Sequence, residues 1–535
     1  MMKHLKNFLI VLCLCVQSLS AQAAIDAELL KPLAGDDPAL RIEAVNEIAA
    51  LASDDAFKVL QAMRNYGLYA TPEGQVLVVD GNRAWNPVNG ETTDVPEEAQ
   101  AITVNNRLRR VLDSALSGFR LFSPDPQARM AAAQAVRRAA SVEQMPLIER
   151  ALEKESDARI RTVLQMAAAV ANLEAQESAT RRKAIQMLAE STDASLLPRL
   201  QQFLDKNPDG SFAETDPDVR TAAQATIGKI KSRIKRNDLI ANLFYGVSLG
   251  SVLLLAALGL AITFGLMGII NMAHGELLMI GAYTTFMVQW VFRQYFPGAL
   301  DAYLLAALPA AFLVAGAVGI ALERTVIRWL YGRPLETLLA TWGISLILMQ
   351  TVRSIFGAQN VEVANPSWMS GGITVLGSVV LTWNRIVIIA FALFVVGVVW
   401  IVLNRTRLGL FVRAVTQNRR MADCNGVKTG RVDMLTFGLG SGIAGLGGVA
   451  LSQLGNVGPD LGQAYFIDSF MVVVLGGVGN LAGTVIAAFG LGAINKFLEP
   501  VSGAVLAKIA ILVFIIIFIQ KRPQGLFAMK GRSAE

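Results

Sequence analysis

Hydrophobic and polar positions divide this chain into two stretches of different solvent class. Between residues 25 and 236, apolar residues recur at helical spacing, as at Val45, Ile48 and Leu51, with Arg, Glu, Asp and Gln between them. From about 240 to 520 the chain is mostly Gly, Ala, Leu, Ile and Val. Its apolar runs are 242–268, 275–292, 302–322, 336–356, 382–403, 432–454, 464–478, 480–498 and 503–520. A helix needs about 20 apolar residues to cross a bilayer, so the pattern predicts nine crossings. The expected fold is all-α: a polytopic transmembrane domain, 237–525, behind a helical domain, 25–236, with a short tail at 526–535.

The first stretch carries a repeated pattern. Asp-Pro-Ala-Leu-Arg at 37–41 returns as Asp-Pro-Gln-Ala-Arg at 125–129 and Asp-Pro-Asp-Val-Arg at 216–220, with looser copies from Asp157 and near Thr180. Asp caps a helix N-terminus, and Pro at the next position loses no amide bond. Repeated helix pairs stack because one unit cannot bury its own apolar face. The pattern resembles HEAT-like repeats; the other reading is an irregular helical bundle. Gln75–Asn82, with Asp80-Gly81 as its turn, predicts a small β-hairpin insertion.

Charge sets the orientation. Of all residues 53% are hydrophobic and 17% charged, and the net charge is +6. Lys and Arg cluster at 324–333, 405–431 and 521–532, between or after apolar runs, which is the signal of membrane topology rather than of nucleic-acid binding. Residues 1–24 read as a signal peptide, with Lys3 and Lys6, an apolar run Phe8–Val16 and the small-residue site Ala21-Gln22-Ala23. The helical domain is then expected outside the inner membrane of a bacterium, in the periplasm. Nine crossings put the C-terminus in the cytoplasm and the Arg-rich loops 323–335 and 404–431 inside. The loop 357–381, without Lys or Arg, falls outside. After cleavage only Cys424 and His274 remain of their kinds, so neither a disulfide nor a metal site is expected.

Three segments carry candidate chemistry. Gly265–Tyr283 sets Asn271, His274 and Glu276 between apolar runs, where burial is costly unless they are hydrogen-bonded. They read either as a polar knot tying a re-entering backbone or as a substrate path. Gly476-Gly477-Val478-Gly479-Asn480 breaks a second apolar run, and irregular backbone at membrane depth must be buried or line a wet cavity. Thr341, Ser345, Gln350, Ser441 and Ser469 are further polar positions within runs, each equally able to bond helix to helix. The third segment is the inner loop Gly409–Val427.

The stretches Ile270–Glu276 with Gly281-Ala282-Tyr283, and Val474–Thr484, resemble two signatures of branched-chain amino acid-type ABC permeases. The resemblance spans about 240–525. It implies a transport subunit with no catalytic residues and no cofactor. It also implies that the inner loop docks on an ATPase through Arg413, Ala414, Gln417, Asn418, Ala422 and Gly426. Ala422 and Gly426 match the Ala-x-x-x-Gly core of the general permease loop, while Arg420 stands where its leading Glu belongs. The chain carries no phosphate loop, since Lys428-Thr429 follows Val427 rather than Gly. The implied partners are a second permease subunit, two cytoplasmic ATPase subunits, a periplasmic substrate-binding protein and membrane lipid.

A long outer domain ahead of such a permease resembles the first permease subunit of urea importers. Urea is therefore the expected cargo, translocated along a path near Asn271, His274, Glu276, Thr341, Ser345 and Asn480. Branched-chain amino acids or short-chain amides are the alternative. A passive channel with a sensory outer domain is the reading from another class, and a docking loop for an ATPase argues against it. The topology has a direct check. A cysteine introduced at Asn82 should react with an impermeant maleimide from outside, and one at Asn418 should not; the reverse pattern inverts the assignment.

Overall fold

A computed structural model of the chain describes residues 25–527 apart from 36, 52, 82, 97 and 376–378. The expected signal peptide lies outside the described residues. The chain divides into two compact units, the first ending at Ile234 and the second starting at Lys235.

In the first unit, helices α1 (Ala27–Ala34), α2 (Pro38–Leu51), α3 (Asp54–Arg64) and α4 (Asn106–Phe119) share one apolar core with a small sheet. The expected hairpin is present as β2 (Val76–Asp80) against β3 (Arg83–Trp85), with Asp80 opposite Arg83. It is part of a larger insertion. Strands β1 (Leu68–Ala70), β4 (Thr92–Asp94) and β5 (Gln100–Ala101) complete a five-stranded antiparallel sheet of order β4-β3-β2-β1-β5. These added strands hold two or three residues each, too few to show an alternating pattern.

A second core gathers α5 (Pro126–Ala139), α6 (Met145–Lys154), α7 (Ala158–Ala171), α8 (Ser178–Met187), α9 (Leu196–Gln202) and the first turns of α10 (Pro217–Met267). The repeated residues act as their chemistry requires. Asp125 accepts from the amides of Gln127 and Ala128, and Asp157 from that of Arg159. The repeated Arg turns back onto the loop before its own helix. Arg129 donates to the carbonyls of Ser123 and Pro124, Arg181 to those of Ala175 and Gln176, and Arg220 to those of Glu214 and Thr215. Arg129 also forks onto Glu155 at 2.9 and 3.2 Å, and Arg181 onto Glu214 at 2.8 Å twice. These side-chain bonds hold the Glu155 carboxyl below its usual range. At Glu214 burial works the other way, yet the Arg181 fork and the Asp216 amide still bring the carboxyl below its usual range.

The second unit holds the remainder of α10, then α11 (His274–Tyr295), α12 (Tyr303–Thr325), α13 (Pro334–Phe356), the hairpin β6 (Gly372–Val375) and β7 (Val379–Thr382), and α14 (Trp383–Arg405). After these come α15 (Arg407–Gln417), α16 (Arg419–Cys424), α17 (Thr429–Ser452), α18 (Leu461–Gly476), α19 (Leu481–Ser502) and α20 (Ala504–Lys521). Every expected apolar run falls on a helix. Among the described residues, however, seven helices rather than nine are long and apolar enough to cross a membrane. The two others are α11, which carries His274, Glu276, Gln289 and Arg293, and α18, whose 16 residues rise only about 24 Å as α-helix. Both begin at irregular stretches, 268–273 and 453–460.

Helix α17 is the centre of this unit, and glycine makes it so. A Cβ at Gly281 of α11 would lie 2.1 Å from the Gly445 carbonyl oxygen, and one at Gly448 would lie 1.9 Å from that of Leu278. Gly259 of α10 approaches the Gly440 carbonyl oxygen within 2.4 Å of such a Cβ, and Gly445 approaches that of Ala311 in α12 within 2.6 Å. Helix α10 meets α19 in the same way through Gly246, Gly250 and Gly492. The segment 357–371 then fastens onto the helix ends: Val361 pairs with Val457, and Gln289 exchanges two hydrogen bonds with the backbone of Ala364.

The glycine crossings generate a prediction. Gly281→Val meets backbone and cannot be relieved by a side-chain rotation, so it should cost more than the usual overpacking penalty of about 1–3 kcal/mol. The yield of monodisperse protein extracted from membranes should collapse. Gly397→Val in α14, where a Cβ has no neighbour within 4 Å, should extract normally; equal yields for the two variants would refute the crossing.

Candidate functional site at two helix breaks

Helix α10 ends because Gly268 turns the backbone left-handed, at φ +71°. The chain then runs irregularly to Ala273 and re-enters helix at His274. The polar residues of this turn are consumed by the turn itself. Asn271 Oδ1 accepts from the Ala273 amide at 3.0 Å, and the Met272 amide donates to Thr341 Oγ1 at 3.1 Å. His274 Nε2 lies 2.8 Å from the Ala256 carbonyl oxygen of α10; a carbonyl only accepts, so this nitrogen carries the proton. Ser345 Oγ donates to Glu276 Oε1 at 2.5 Å. All five of these predicted side chains are buried and form one cluster.

Helix α13 shows why the cluster holds together. Thr337, Thr341 and Ser345 follow at intervals of four and are buried, whereas Leu335, Leu339, Ile347 and Ile355 on other faces are exposed. A helix with its polar stripe inward and its apolar faces outward suits a lipid surround. The Asn271 Nδ2 and His274 Nδ1 atoms are buried without a hydrogen-bond partner among the described residues.

The second break is Gly477–Asn480, with Gly477 at φ +99° and Gly479 at φ +85°. Asn480 is not in the first cluster. It caps α19, accepting from the Gly483 amide at 3.0 Å. The break is pressed between two neighbours. Gly265 of α10 lies against Gly479, and the segment after α20 lies against Gly477, with the Leu526 amide donating to Leu475 O at 2.9 Å. Of the other polar positions, Gln350 is exposed, Ser469 bonds its own helix at Tyr465 O, and Ser441 packs against Gly319. Helices α11 and α18 meet where their irregular lead-ins end: a Cβ at Gly462 would lie 2.1 Å from the Gly275 carbonyl oxygen and 2.8 Å from Glu276 Oε2.

The inner loop folds into α15 and α16. Arg413, Gln417 and Asn418 are exposed and Ala414 is half-buried. Asn418 caps α16 through the Met421 amide. Ala422 is buried within the chain, 5% exposed, so it packs inward. Gly426 has no neighbour within 4 Å of a Cβ, and its φ of +83° is what requires glycine there. Sequence reading missed the exposed apolar side chains Leu410, Phe411 and Met421 on these two helices, because exposure has no signature in one loop sequence. It also missed the anchoring contacts: Arg419 pairs with the buried Asp433 of α17 and lies over the Tyr331 ring, and Thr416 Oγ1 donates to Leu266 O at 2.8 Å, at the end of α10.

A glycine-packed bundle with broken helices and apolar outer faces is that of a polytopic membrane transport protein. The chain belongs to the family of branched-chain amino acid transport system permease components, whose family model matches residues 242–520. It is 29% identical over 293 residues to the high-affinity branched-chain amino acid transport system permease protein BraD of Pseudomonas aeruginosa, covering 54% of this chain and 95% of that protein. Over 260 residues it is 31% identical to the corresponding protein LivH of Escherichia coli, covering 47% of this chain and 83% of LivH. A fructose import permease protein, FrcC of Rhizobium meliloti, is 26% identical over 303 residues, 55% of this chain and 77% of FrcC. No solved structure matches the chain.

The first break can be tested without a transport assay. Thr341→Val removes the acceptor of the Met272 amide and should destabilise the protein by about 1 kcal/mol, whereas Thr341→Ser keeps the hydroxyl and should not. Thermal unfolding of the detergent-purified protein, followed by tryptophan fluorescence, separates the two. Equal melting temperatures would show that this bond does not hold the break.

Proposed function

We propose that this chain is one of two permease subunits of an ATP-driven importer of small polar solutes in the bacterial inner membrane. Two ATPase subunits dock on α15 and α16 inside, and a periplasmic binding protein delivers cargo. Supporting this is one observation above the rest: both family signatures fall on helix breaks, 268–273 and 477–480, each adjacent to the end of α10 that Thr416 of the inner segment holds. Motion of the docked segment therefore reaches both breaks through one helix end. The exposed Leu410, Phe411 and Met421, with Arg413, Gln417 and Asn418 around them, supply an apolar dock with a polar rim.

The cargo we favour is a branched-chain amino acid, as the names of BraD and LivH state for those proteins. Urea is the second reading, and one observation favours it. The matched region leaves only about 5% of BraD uncovered, too little to contain a counterpart of the 210-residue stretch 25–234. That outer unit, with its capped helices and repeated Arg–Glu forks, is read as a HEAT-like repeat that contacts the binding protein. The orientation follows the Lys and Arg distribution, with the first unit periplasmic and the tail cytoplasmic.

Cells lacking other uptake routes decide the cargo. Deletion of the gene should abolish ATP-dependent uptake of labelled leucine at low external concentration and leave urea uptake intact. Loss of urea uptake with leucine uptake intact would overturn the amino acid reading in favour of urea, and no effect on either would overturn both.

A further inference from the structure

A cavity of about 250 Å³ lies between α10, α18, α19 and α20, apart from both breaks. Its lining includes Tyr465, Asp468, Asn495, Lys496, Glu499 and Lys508. Four of these six are charged, two of each sign, on helices that are otherwise almost wholly apolar. Asp468 is the one charged residue of α18, and Lys508 is the one charged residue of α20 before its last position. Lys508 reaches across to Asp468 at 3.1 Å, and Lys496 pairs with Glu499 at 2.5 Å. Arg385, at the start of α14, is outside this lining, donating to Ser248 and lying over the Tyr245 ring.

Charges on spanning helices are expensive and are kept where they face one another, a wet cavity or a solute. Apolar side chains would join α18 to α20 at less cost than an ion pair. The four charges sum to zero. A solute carrying net charge would leave that charge uncompensated in apolar surroundings. A net-neutral solute with an acceptor at one end and a donor at the other exchanges partners with the pairs already there.

We propose that this cavity binds the cargo itself, as a class: net-neutral solutes that present a carboxylate or carbonyl to Lys496 and Lys508 and an ammonium or amide to Asp468 and Glu499. Asn495 and Tyr465 bond either end. The assignment rests on the importer reading above and adds a basis for selectivity, exclusion of net charge, that holds for leucine and urea alike. A zwitterionic lipid headgroup, phosphatidylethanolamine, has the same chemistry and is the competing source.

The test uses the assembled importer in nanodiscs of phosphatidylglycerol, with and without phosphatidylethanolamine. Ala464→Cys, at a lining position given no part in binding, in a chain carrying Cys424→Ser, reports the cavity through its rate of maleimide labelling. Leucine or urea at about ten times its dissociation constant should slow labelling about tenfold, because the reagent needs the empty site. Glutamate and lysine should not slow it. Asp468→Asn should lose protection by leucine and gain protection by glutamate. The exchanged pair Asp468→Lys with Lys508→Asp keeps the ion pair and the zero sum. It should assemble and retain protection, which guards against misfolding of the single variant. Labelling unchanged by leucine and urea, or slowed only by phosphatidylethanolamine, overturns the proposal. Uptake of both solutes by proteoliposomes of the unsubstituted importer is measured alongside, so a transporter that moves leucine with unprotected labelling refutes the site and not the cargo.

Discussion

Backbone touches backbone where α11 crosses α17, with Gly281 against Gly445 and Gly448 against Leu278. Lipid tails are as apolar as leucine, so helices in a bilayer gain little by hiding apolar side chains from them. Close van der Waals approach does the work instead, and it requires positions without a Cβ. The same contact recurs from α17 to α10 and α12, and from α10 to α19. Because these helices cannot separate slightly without losing the contact, their axes are held at a fixed spacing. The polar groups of the first break are spaced to match: His274 reaches Ala256 O at 2.8 Å beside Gly259, where a Cβ would lie 2.9 Å from the His274 ring.

That spacing explains how irregular backbone is tolerated inside an apolar bundle. At 268–273 the freed amides are taken by side chains of the turn and of α13. At 477–480 the turn closes on itself through the Asn480 cap and is flanked by Gly265 and Gly525. Both breaks are therefore ordered by neighbours rather than by their own propensity, and the end of α10 adjoins both. Thr416 and the Arg419–Asp433 pair tie the inner segment to α10 and α17 respectively, which are the two helices that the glycine contacts bind most closely to the rest.

The first unit is stabilised by different physics, in keeping with its composition. Its cores are apolar, but its repeated loops are held by Arg side chains that satisfy carbonyls which a short loop cannot pair itself. The Glu155 and Glu214 carboxylates extend two of these arginines to the next repeat, so each fork joins successive helix pairs as well as closing a loop.

Much of this was legible in the chain alone. The two solvent classes, the seven apolar runs that lie on helices long enough to cross a membrane, the Asp-Pro caps and the polar turn at Asn271–Glu276 follow from local periodicity and from residue chemistry that acts within a few positions. Thr341 and Ser345 were recognisable as polar positions on an apolar run, though not as partners of Met272 and Glu276. Local pattern could not reveal that Asn480 is a cap, that Gly426 serves a left-handed turn, or that Ala422 packs inward. Nor could it show that three short strands enlarge the hairpin, or that Asp468, Lys496, Glu499 and Lys508 share one cavity. The sheet and the cavity depend on which distant segments are brought together, 40 residues apart for Lys508 and Asp468. Periodicity states which face of a helix is apolar, and only the close approach of backbones at glycine states what that face meets.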